Sequence, residues 1–98
     1  MNRYENKKVL ITGGASGIGR AICHRLASEG AQLVFIDRNA ESGKSVEKEL
    51  EDSGKPARFI KAELTNEKEV EEAFTEAEKC LKRIDVLINN AGAAVGEN

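Results

Sequence analysis

The stretch Thr12–Gly19, which reads TGGASGIG, constrains the fold of this chain more than any other feature. It follows a short apolar run, Lys8–Thr12. The segment after it carries apolar residues at helical spacing, namely Ile18, Ala21, Ile22 and Leu26. A glycine-rich turn between a strand and a helix is typical of the first crossover of a parallel α/β sheet. We therefore expect a strand at Lys8–Thr12 and a helix over about Gly17–Glu29.

The rest of the chain repeats this alternation of strands and helices. Further strands are predicted at Gln32–Asp37, Ala57–Ala62 and Ile84–Asn89, and further helices at Ala40–Ser53 and Asn66–Lys82. Parallel strands joined by helices require right-handed crossovers. The sequence thus predicts one α/β unit over residues 1–98: a partial Rossmann fold, a doubly wound sheet of four parallel strands in the order 3-2-1-4 with helices on both faces.

Composition and charge exclude several classes of function. The 98 residues carry 15 Lys and Arg against 17 Asp and Glu, which leaves no basic surface for nucleic acid. No apolar run approaches the roughly 20 residues of a transmembrane helix, and residues 1–8 lack the apolar core of a signal peptide. We therefore expect a cytoplasmic protein. Cys23 and Cys80 lie in predicted helices without CxxC spacing, so we expect two small buried thiols and no metal site.

The glycine-rich turn has the features of a phosphate-binding site. Backbone N–H groups at the start of a helix, here near Gly17–Gly19, carry partial positive charge and attract a pyrophosphate. Gly13 permits the tight turn, Gly17 lets the backbone approach the ligand, and Gly19 lets the helix pack against the strand. Ser16 adds a hydroxyl donor. The sequence therefore indicates a dinucleotide-binding site.

Asp37 ends the second predicted strand, 20 residues after Gly17. A carboxylate at this place accepts hydrogen bonds from both hydroxyls of the adenosine ribose and repels a 2′-phosphate. Ser16 is neutral where a phosphate-binding lysine or arginine could stand. These two cues predict NAD in preference to NADP, while the neighbouring Arg38 is ambiguous because an arginine can pair with a phosphate.

Two motifs resemble those of the short-chain dehydrogenase/reductase family. TGGASGIG at Thr12–Gly19 is similar to that family's TGxxxGxG, and NNAG at Asn89–Gly92 is similar to the motif at the end of its fourth strand. The resemblance runs from Lys7 to about Gly92. It implies an oxidoreductase that transfers a hydride between NAD(H) and an alcohol or carbonyl.

The resemblance also implies a role for each matching residue. Those at the pyrophosphate are Gly13, Ser16, Gly17, Ile18 and Gly19. Those at the adenosine ribose are Asp37 and the backbone of Arg38. Glu63 and Leu64 flank the adenine, with Glu63 placing the carboxylate of the family's usual aspartate on a longer arm. The residues that pass beneath the cofactor are Asn90, Ala91 and Gly92.

The family's chemistry resides in a serine and a Tyr-x-x-x-Lys pair beyond the fourth strand, in chains more than twice this length. The one literal match here, Tyr4–Lys8, precedes the first strand, and we expect no catalytic role for it. His24, the only histidine, is expected to be a surface or packing residue. We therefore expect the chain alone to be inactive. Two alternatives stay open: a non-catalytic dinucleotide-binding module, and a truncated fragment that binds nothing well.

The fourth predicted strand, Ile84–Asn89, bears on association. It would be an interior strand of a complete doubly wound sheet, yet few residues follow it. Val86 and Ile88 are expected on one face and Leu87 on the other. An apolar strand edge without a partner invites pairing with another chain. We therefore expect self-association through this edge.

Overall fold

The structure is a computed structural model that describes residues 3–15 and 17–90. In chain order its elements are β1 (Lys8–Thr12), α1 (Gly17–Ser28), β2 (Gln32–Asp37), α2 (Ala40–Asp52), β3 (Arg58–Lys61), α3 (Glu67–Leu81) and β4 (Val86–Asn89). All four strands are parallel, in the order β3-β2-β1-β4. The predicted fold class and strand order are confirmed.

The sheet buries both of its faces under helices. Successive residues of β1 point to opposite sides, so that Val9 and Ile11 pack with α1 and α2, whereas Leu10 packs with α3. All three side chains are fully buried, as expected of a parallel strand covered on both faces. Burial of each such side chain contributes roughly 1.5–3 kcal/mol. This two-sided core holds the carboxyl ends of the strands at one edge of the sheet.

Asparagine side chains cap two of the helices. Asn39 Oδ1 accepts a hydrogen bond from the Ser42 N–H at 2.9 Å, at the start of α2. Asn66 Oδ1 accepts one from the Glu69 N–H at 3.1 Å, at the start of α3. Each bond satisfies a donor that the first turn of a helix leaves free. Asn39 and Asn66 are therefore the N-caps of α2 and α3.

The buried face of α1 differs from the predicted one. Its buried residues are Gly19, Cys23, Leu26 and Ala27. Ile18 and Ala21, which the apolar spacing placed on the packed face, are exposed, and Ile18 is 73% exposed. The reason is that α1 begins directly against the glycine-rich turn, where only small side chains fit. A pattern of large apolar residues therefore misjudged the first turns of this helix.

The two cysteines lie in different environments. Cys23 is fully buried, and desolvation raises the pKa of its thiol to about 12. Cys80 is exposed on α3, so the prediction of two buried thiols is wrong for this residue. The buried positions of α3 are Ala73, Ala77 and Leu81. Position 80 therefore faces away from the core.

Asp85 fixes the start of β4. Its Oδ2 accepts a hydrogen bond from the Lys8 N–H at 2.9 Å, and Arg83 Nε donates to its Oδ1 at 3.0 Å. These bonds, first the one from Lys8, hold the pKa of the Asp85 carboxyl below its usual value. Because its side chain occupies the first donor of β1, regular pairing begins at Val86, two residues later than predicted.

The described residues contain no helix that is both long and apolar enough to cross a membrane. The same residues contain no group of three or more His, Cys, Asp or Glu side chains placed to bind a metal ion. Leu87 is 54% exposed, while Val86 and Ile88 are half-buried against the core under α1 and α2. The predicted alternation of β4 side chains is therefore observed.

Candidate cofactor-binding site

The turn between β1 and α1 is fastened to the carboxyl end of β2. The Ile36 carbonyl accepts hydrogen bonds from the Gly13 N–H at 2.7 Å and the Gly14 N–H at 3.4 Å. Asp37 Oδ2 accepts one from the Ala15 N–H at 3.1 Å. Three successive N–H groups of the turn thus point toward β2. The donors for an anion are therefore those at the start of α1, where a helix lacks partners of its own.

The predicted glycines of this turn meet different spatial demands. Gly13 and Gly17 have φ angles of 74° and 52°, a region that favours glycine. Apart from its chain neighbours and the backbone of α1, a Cβ atom on Gly17 would meet no atom of the described residues within 4 Å, so these residues leave the space beside the start of α1 open. A Cβ atom on Gly19 would lie 1.9 Å from the Gly13 oxygen and 2.8 Å from Asn90 Nδ2. Its missing side chain therefore allows α1 to pack on the turn.

Gly14 is a tight packing position that the motif analysis did not single out. A Cβ atom there would lie 2.7 Å from Phe35 Cβ and 3.1 Å from Cys23 Sγ. The Cys23 thiol in turn donates to the Gly14 oxygen at 3.5 Å. The buried thiol thus contacts and supports the turn. Because burial raises its pKa, the thiol is a structural and unreactive group. The feature of the sequence that could have indicated this tight packing is that Gly14 is the second of two consecutive glycines.

The end of β4 supports the same turn from the other side. The Asn90 N–H donates to the Thr12 oxygen at 3.0 Å, and Asn90 Nδ2 donates to the Gly13 oxygen at 2.9 Å. Thr12 Oγ1 donates to Asn89 Oδ1 at 2.9 Å. These bonds join the two sequence motifs directly. Asn90 is a predicted site residue, whereas the roles of Thr12 and Asn89 were not predicted from the sequence.

Glu63 and Leu64 lie in the loop between β3 and α3. Glu69 Oε1 accepts a hydrogen bond from the Glu63 N–H at 2.8 Å, and Thr65 Oγ1 donates to Glu63 Oε2 at 3.1 Å. Leu64 packs, partly buried, against the core under α3. The Ala62 N–H donates to the Asp37 oxygen at 3.1 Å, which ties this loop to the carboxyl end of β2.

Asp37 lies between the turn and the start of α2. Besides the bond from Ala15, it accepts one from the Asn39 N–H at 3.0 Å through Oδ1. A carboxylate has about four lone-pair positions, so about two remain for a ligand. The Arg38 side chain is exposed beside it.

The predicted site residues that the structure describes lie at the carboxyl edge of the sheet or in the loops beyond it. They are Gly13, Gly17, Ile18, Gly19, Asp37, Arg38, Glu63, Leu64 and Asn90. Ser16, Ala91 and Gly92 lie outside the described residues. The grouping of four strand ends and the start of α1 on one side of the sheet is the arrangement in which open α/β sheets bind ligands.

Tyr4, Lys8 and His24 lie apart from this edge. The Tyr4 N–H donates to the Glu29 oxygen just after α1, and Lys8 begins β1, which places both at the amino end of the sheet. His24 Nε2 lies 2.8 Å from Glu49 Oε1 on the surface shared by α1 and α2. Arg20 Nε donates to the same oxygen at 3.0 Å. These bonds, first the one from Arg20, lower the pKa of the Glu49 carboxyl.

Comparison with known protein families gives a match over residues 7–98 to the family described as short chain dehydrogenase. The chain belongs to the short-chain dehydrogenase family. Its homology to the oxidoreductases of this family lies in their cofactor-binding region, and membership implies binding of NAD(P). The resemblance inferred from the two motifs is therefore confirmed.

Similar proteins include two hydroxysteroid dehydrogenases. A 3beta-hydroxysteroid dehydrogenase of Mediterraneibacter gnavus is 40% identical over 92 residues, 94% of this chain and 33% of that protein. A 7alpha-hydroxysteroid dehydrogenase of Bacteroides fragilis is also 40% identical, over 94% of this chain and 36% of that protein. This member of the short-chain dehydrogenase family thus spans about a third of the length of these relatives.

Solved structures show the same partial correspondence. A hydroxysteroid dehydrogenase from Escherichia coli superposes with a TM-score of 0.85 at 32% identity, over 89% of this chain and 37% of that chain. The structure of levodione reductase gives a TM-score of 0.81 at 36% identity, over 87% of this chain and 34% of that chain. The short-chain dehydrogenase fold is therefore shared over most of the present chain.

Proposed function

We propose that this chain binds NAD(H) in preference to NADP(H), as the cofactor-binding portion of an oxidoreductase. The position of Asp37 carries this proposal. Its carboxylate lies at the carboxyl end of β2, bonded to the N–H of Ala15 in the glycine-rich turn. A negative charge at this place attracts ribose hydroxyls and opposes a 2′-phosphate, because two like charges in a poorly solvated site repel each other.

The residues present fit a dinucleotide. The open space beside Gly17 leaves room for a pyrophosphate at the start of α1, where the helix dipole favours an anion. The remaining lone pairs of Asp37 match the two hydroxyls of the adenosine ribose. We assign Glu63 and Leu64 to the adenine. Further contacts are assigned to Ser16, Ile18, Gly19, Arg38, Asn90, Ala91 and Gly92.

For the whole oxidoreductase we propose hydride transfer between NAD(H) and an alcohol or carbonyl. The hydroxysteroid dehydrogenases among the relatives support this class of substrate. The bound nicotinamide would supply the hydride chemistry, and the present residues would bind and orient it. Tyr4 and Lys8 lie at the opposite edge of the sheet from the turn, so we expect no turnover by the 98-residue chain alone. A non-catalytic dinucleotide-binding module is the alternative.

Titration calorimetry with NAD and NADP tests the cofactor assignment. We expect tighter binding of NAD. The variant Asp37→Ala should weaken NAD binding by about 1.5–3 kcal/mol, the scale of hydrogen bonds to a charged group, and narrow the gap to NADP. The matched control is Asp52→Ala, since Asp52 is exposed on α2 beside Lys48 and should change neither affinity. Equal affinities for NAD and NADP in the unmodified chain would refute the role of Asp37.

We also propose that two copies of the chain associate through β4. Among the described residues, β4 pairs with β1 alone, and Leu87 beside that edge is 54% exposed. The outer strand on the other side of the sheet, β3, is protected. Its Phe59 N–H, which points away from β2, donates a hydrogen bond to Glu47 Oε2 at 2.9 Å. A strand edge covered by a side chain resists pairing with another chain. This asymmetry favours contact between two β4 edges.

A further inference from the structure

We propose that Asp37 is also a positioning residue, which holds the phosphate-binding turn in place through Ala15. This inference rests on the proposed NAD binding and deepens it. The same carboxylate would then serve two parts of the ligand: the adenosine ribose by direct contact, and the pyrophosphate through the backbone of the turn.

The bond from Ala15 is the side-chain-dependent part of the connection between the turn and β2. Gly13 and Gly14 donate to the backbone oxygen of Ile36, and a backbone acceptor exists whatever the sequence. Ala15 donates to the Asp37 carboxylate at 3.1 Å instead. Substitution of Asp37 by alanine therefore removes the acceptor of this bond, while the acceptor of the other two bonds stays present.

The environment of Ala15 makes that bond matter. Ala15 is only 4% exposed, so water has little access to replace a lost acceptor. A buried N–H without a partner costs more than the bond contributed. The turn would relieve this cost by shifting, and the start of α1 lies two residues further along the chain. Loss of the acceptor therefore disturbs the donors that face the phosphate.

The second oxygen of the carboxylate fixes its direction. Asp37 Oδ1 accepts from the Asn39 N–H at 3.0 Å, and Asn39 caps α2. With each oxygen on a different backbone donor, the carboxylate has a set orientation before any ligand arrives. An asparagine at this position offers one oxygen and one NH₂ group. It can keep its oxygen on the Ala15 N–H and turn its NH₂ group toward Asn39. Alanine, which offers no acceptor, is therefore the variant that removes the bond from Ala15.

A modified cofactor separates the two roles of Asp37. The probe is NAD whose adenosine ribose lacks its 2′- and 3′-hydroxyls, so that direct contact with the carboxylate is removed. We compare the unmodified chain with Asp37→Ala, which offers the Ala15 N–H no acceptor, by calorimetry. If Asp37 positions the turn, the variant should bind this probe roughly 3- to 10-fold more weakly. Equal affinity of both chains for the probe would overturn the proposal. The control Asp52→Ala, which removes a carboxylate remote from the turn, should leave the affinity unchanged.

Amide hydrogen exchange without ligand keeps the test independent of cofactor binding. Exchange of the Ala15 N–H should accelerate at least about 5-fold in Asp37→Ala, while that of Leu10 in β1 reports overall stability and should change less. Failure of the unmodified chain to bind NAD or the probe would refute the proposed function alone. An Ala15 rate that follows Leu10 would overturn the positioning role. Should Asp37→Ala not fold, Asp37→Ser, which keeps an oxygen for the Asn39 N–H, is measured in the same way.

Discussion

At the scale of single residues, the glycines of one motif differ in what their missing side chain provides. A side chain at Gly19 would collide with the Gly13 oxygen, whereas one at Gly17 would enter open space. Gly17 nevertheless has a φ of 52°, where a side chain costs roughly 1–2 kcal/mol. Gly19 is therefore needed for packing. Gly17 is needed for its backbone conformation and for the space that it leaves beside α1.

We expect opposite profiles for alanine at these two positions. Gly19→Ala should lower the free energy of unfolding by about 1–3 kcal/mol, the cost of overpacking. Gly17→Ala should lower the free energy of unfolding by about 1–2 kcal/mol through backbone strain. It should weaken NAD binding more than Gly19→Ala does, because its methyl group enters the space assigned to the pyrophosphate. Urea denaturation and calorimetry measure the two effects. A Gly17→Ala chain that binds NAD as well as the unmodified chain would contradict this assignment.

At the scale of elements, the start of β4 depends on an ionised side chain. Asp85 is charged and bonded to Lys8 and Arg83, and its pKa lies below the unfolded-state value of about 3.9. Its stabilisation is therefore present above that pH and is lost as the pH falls through the folded-state pKa. Asp85→Asn should lower the melting temperature at pH 7 and change it little near pH 2. An equal decrease at both pH values would exclude a charge-dependent role, and Asp52→Asn is the control.

The elements differ in how far the sequence determined them. The predicted bounds of β1 and β2 are those observed, because continuous burial on both faces limits an apolar run sharply. Both ends of β3 were placed one residue too far out and the start of β4 two residues too early, since these strands border the sheet and fewer contacts define them. The predicted packed face of α1 held for Leu26 and Ile22. It was wrong for Ile18, because the contact with the turn selects small residues, Gly19 and Cys23.

The candidate site was predictable in its outline and not in its connections. The motif places Gly13, Gly17 and Gly19 at the end of β1, and the strand end supplies Asp37. The bond from Ala15 to Asp37 joins residues 22 positions apart. The bond from Thr12 to Asn89 joins residues 77 positions apart. Such bonds depend on the exact approach of two strand ends, which local patterns of hydrophobicity do not encode.

At the scale of the whole molecule, the proposed association through β4 predicts a concentration-dependent mass. Burying a few hundred Å² of apolar surface at about 25 cal/mol per Å² provides several kcal/mol, comparable with the stability of a small domain. Sedimentation should therefore show dimers or larger species. Leu87→Lys should favour the monomer, since a lysine beside a strand edge opposes pairing.

Ile18→Lys is the matched control for association, because Ile18 is even more exposed but lies at the start of α1 and not on β4. It should leave the sedimentation of the chain unchanged. The proposed association would be contradicted if the unmodified chain stayed monomeric at high concentration and melted cooperatively well above room temperature.

The most direct test of the central claim is to map amide chemical shifts while NAD is added to the unmodified chain. NAD binding at the carboxyl edge predicts the largest changes at Gly17, Ile18 and Gly19, with further changes at Asp37. The amide chemical shifts of Gly30 and Lys55, at the amino end of the strands, should not change. Changes centred on the amino edge, or none at millimolar NAD, would contradict the assignment of this edge to the cofactor.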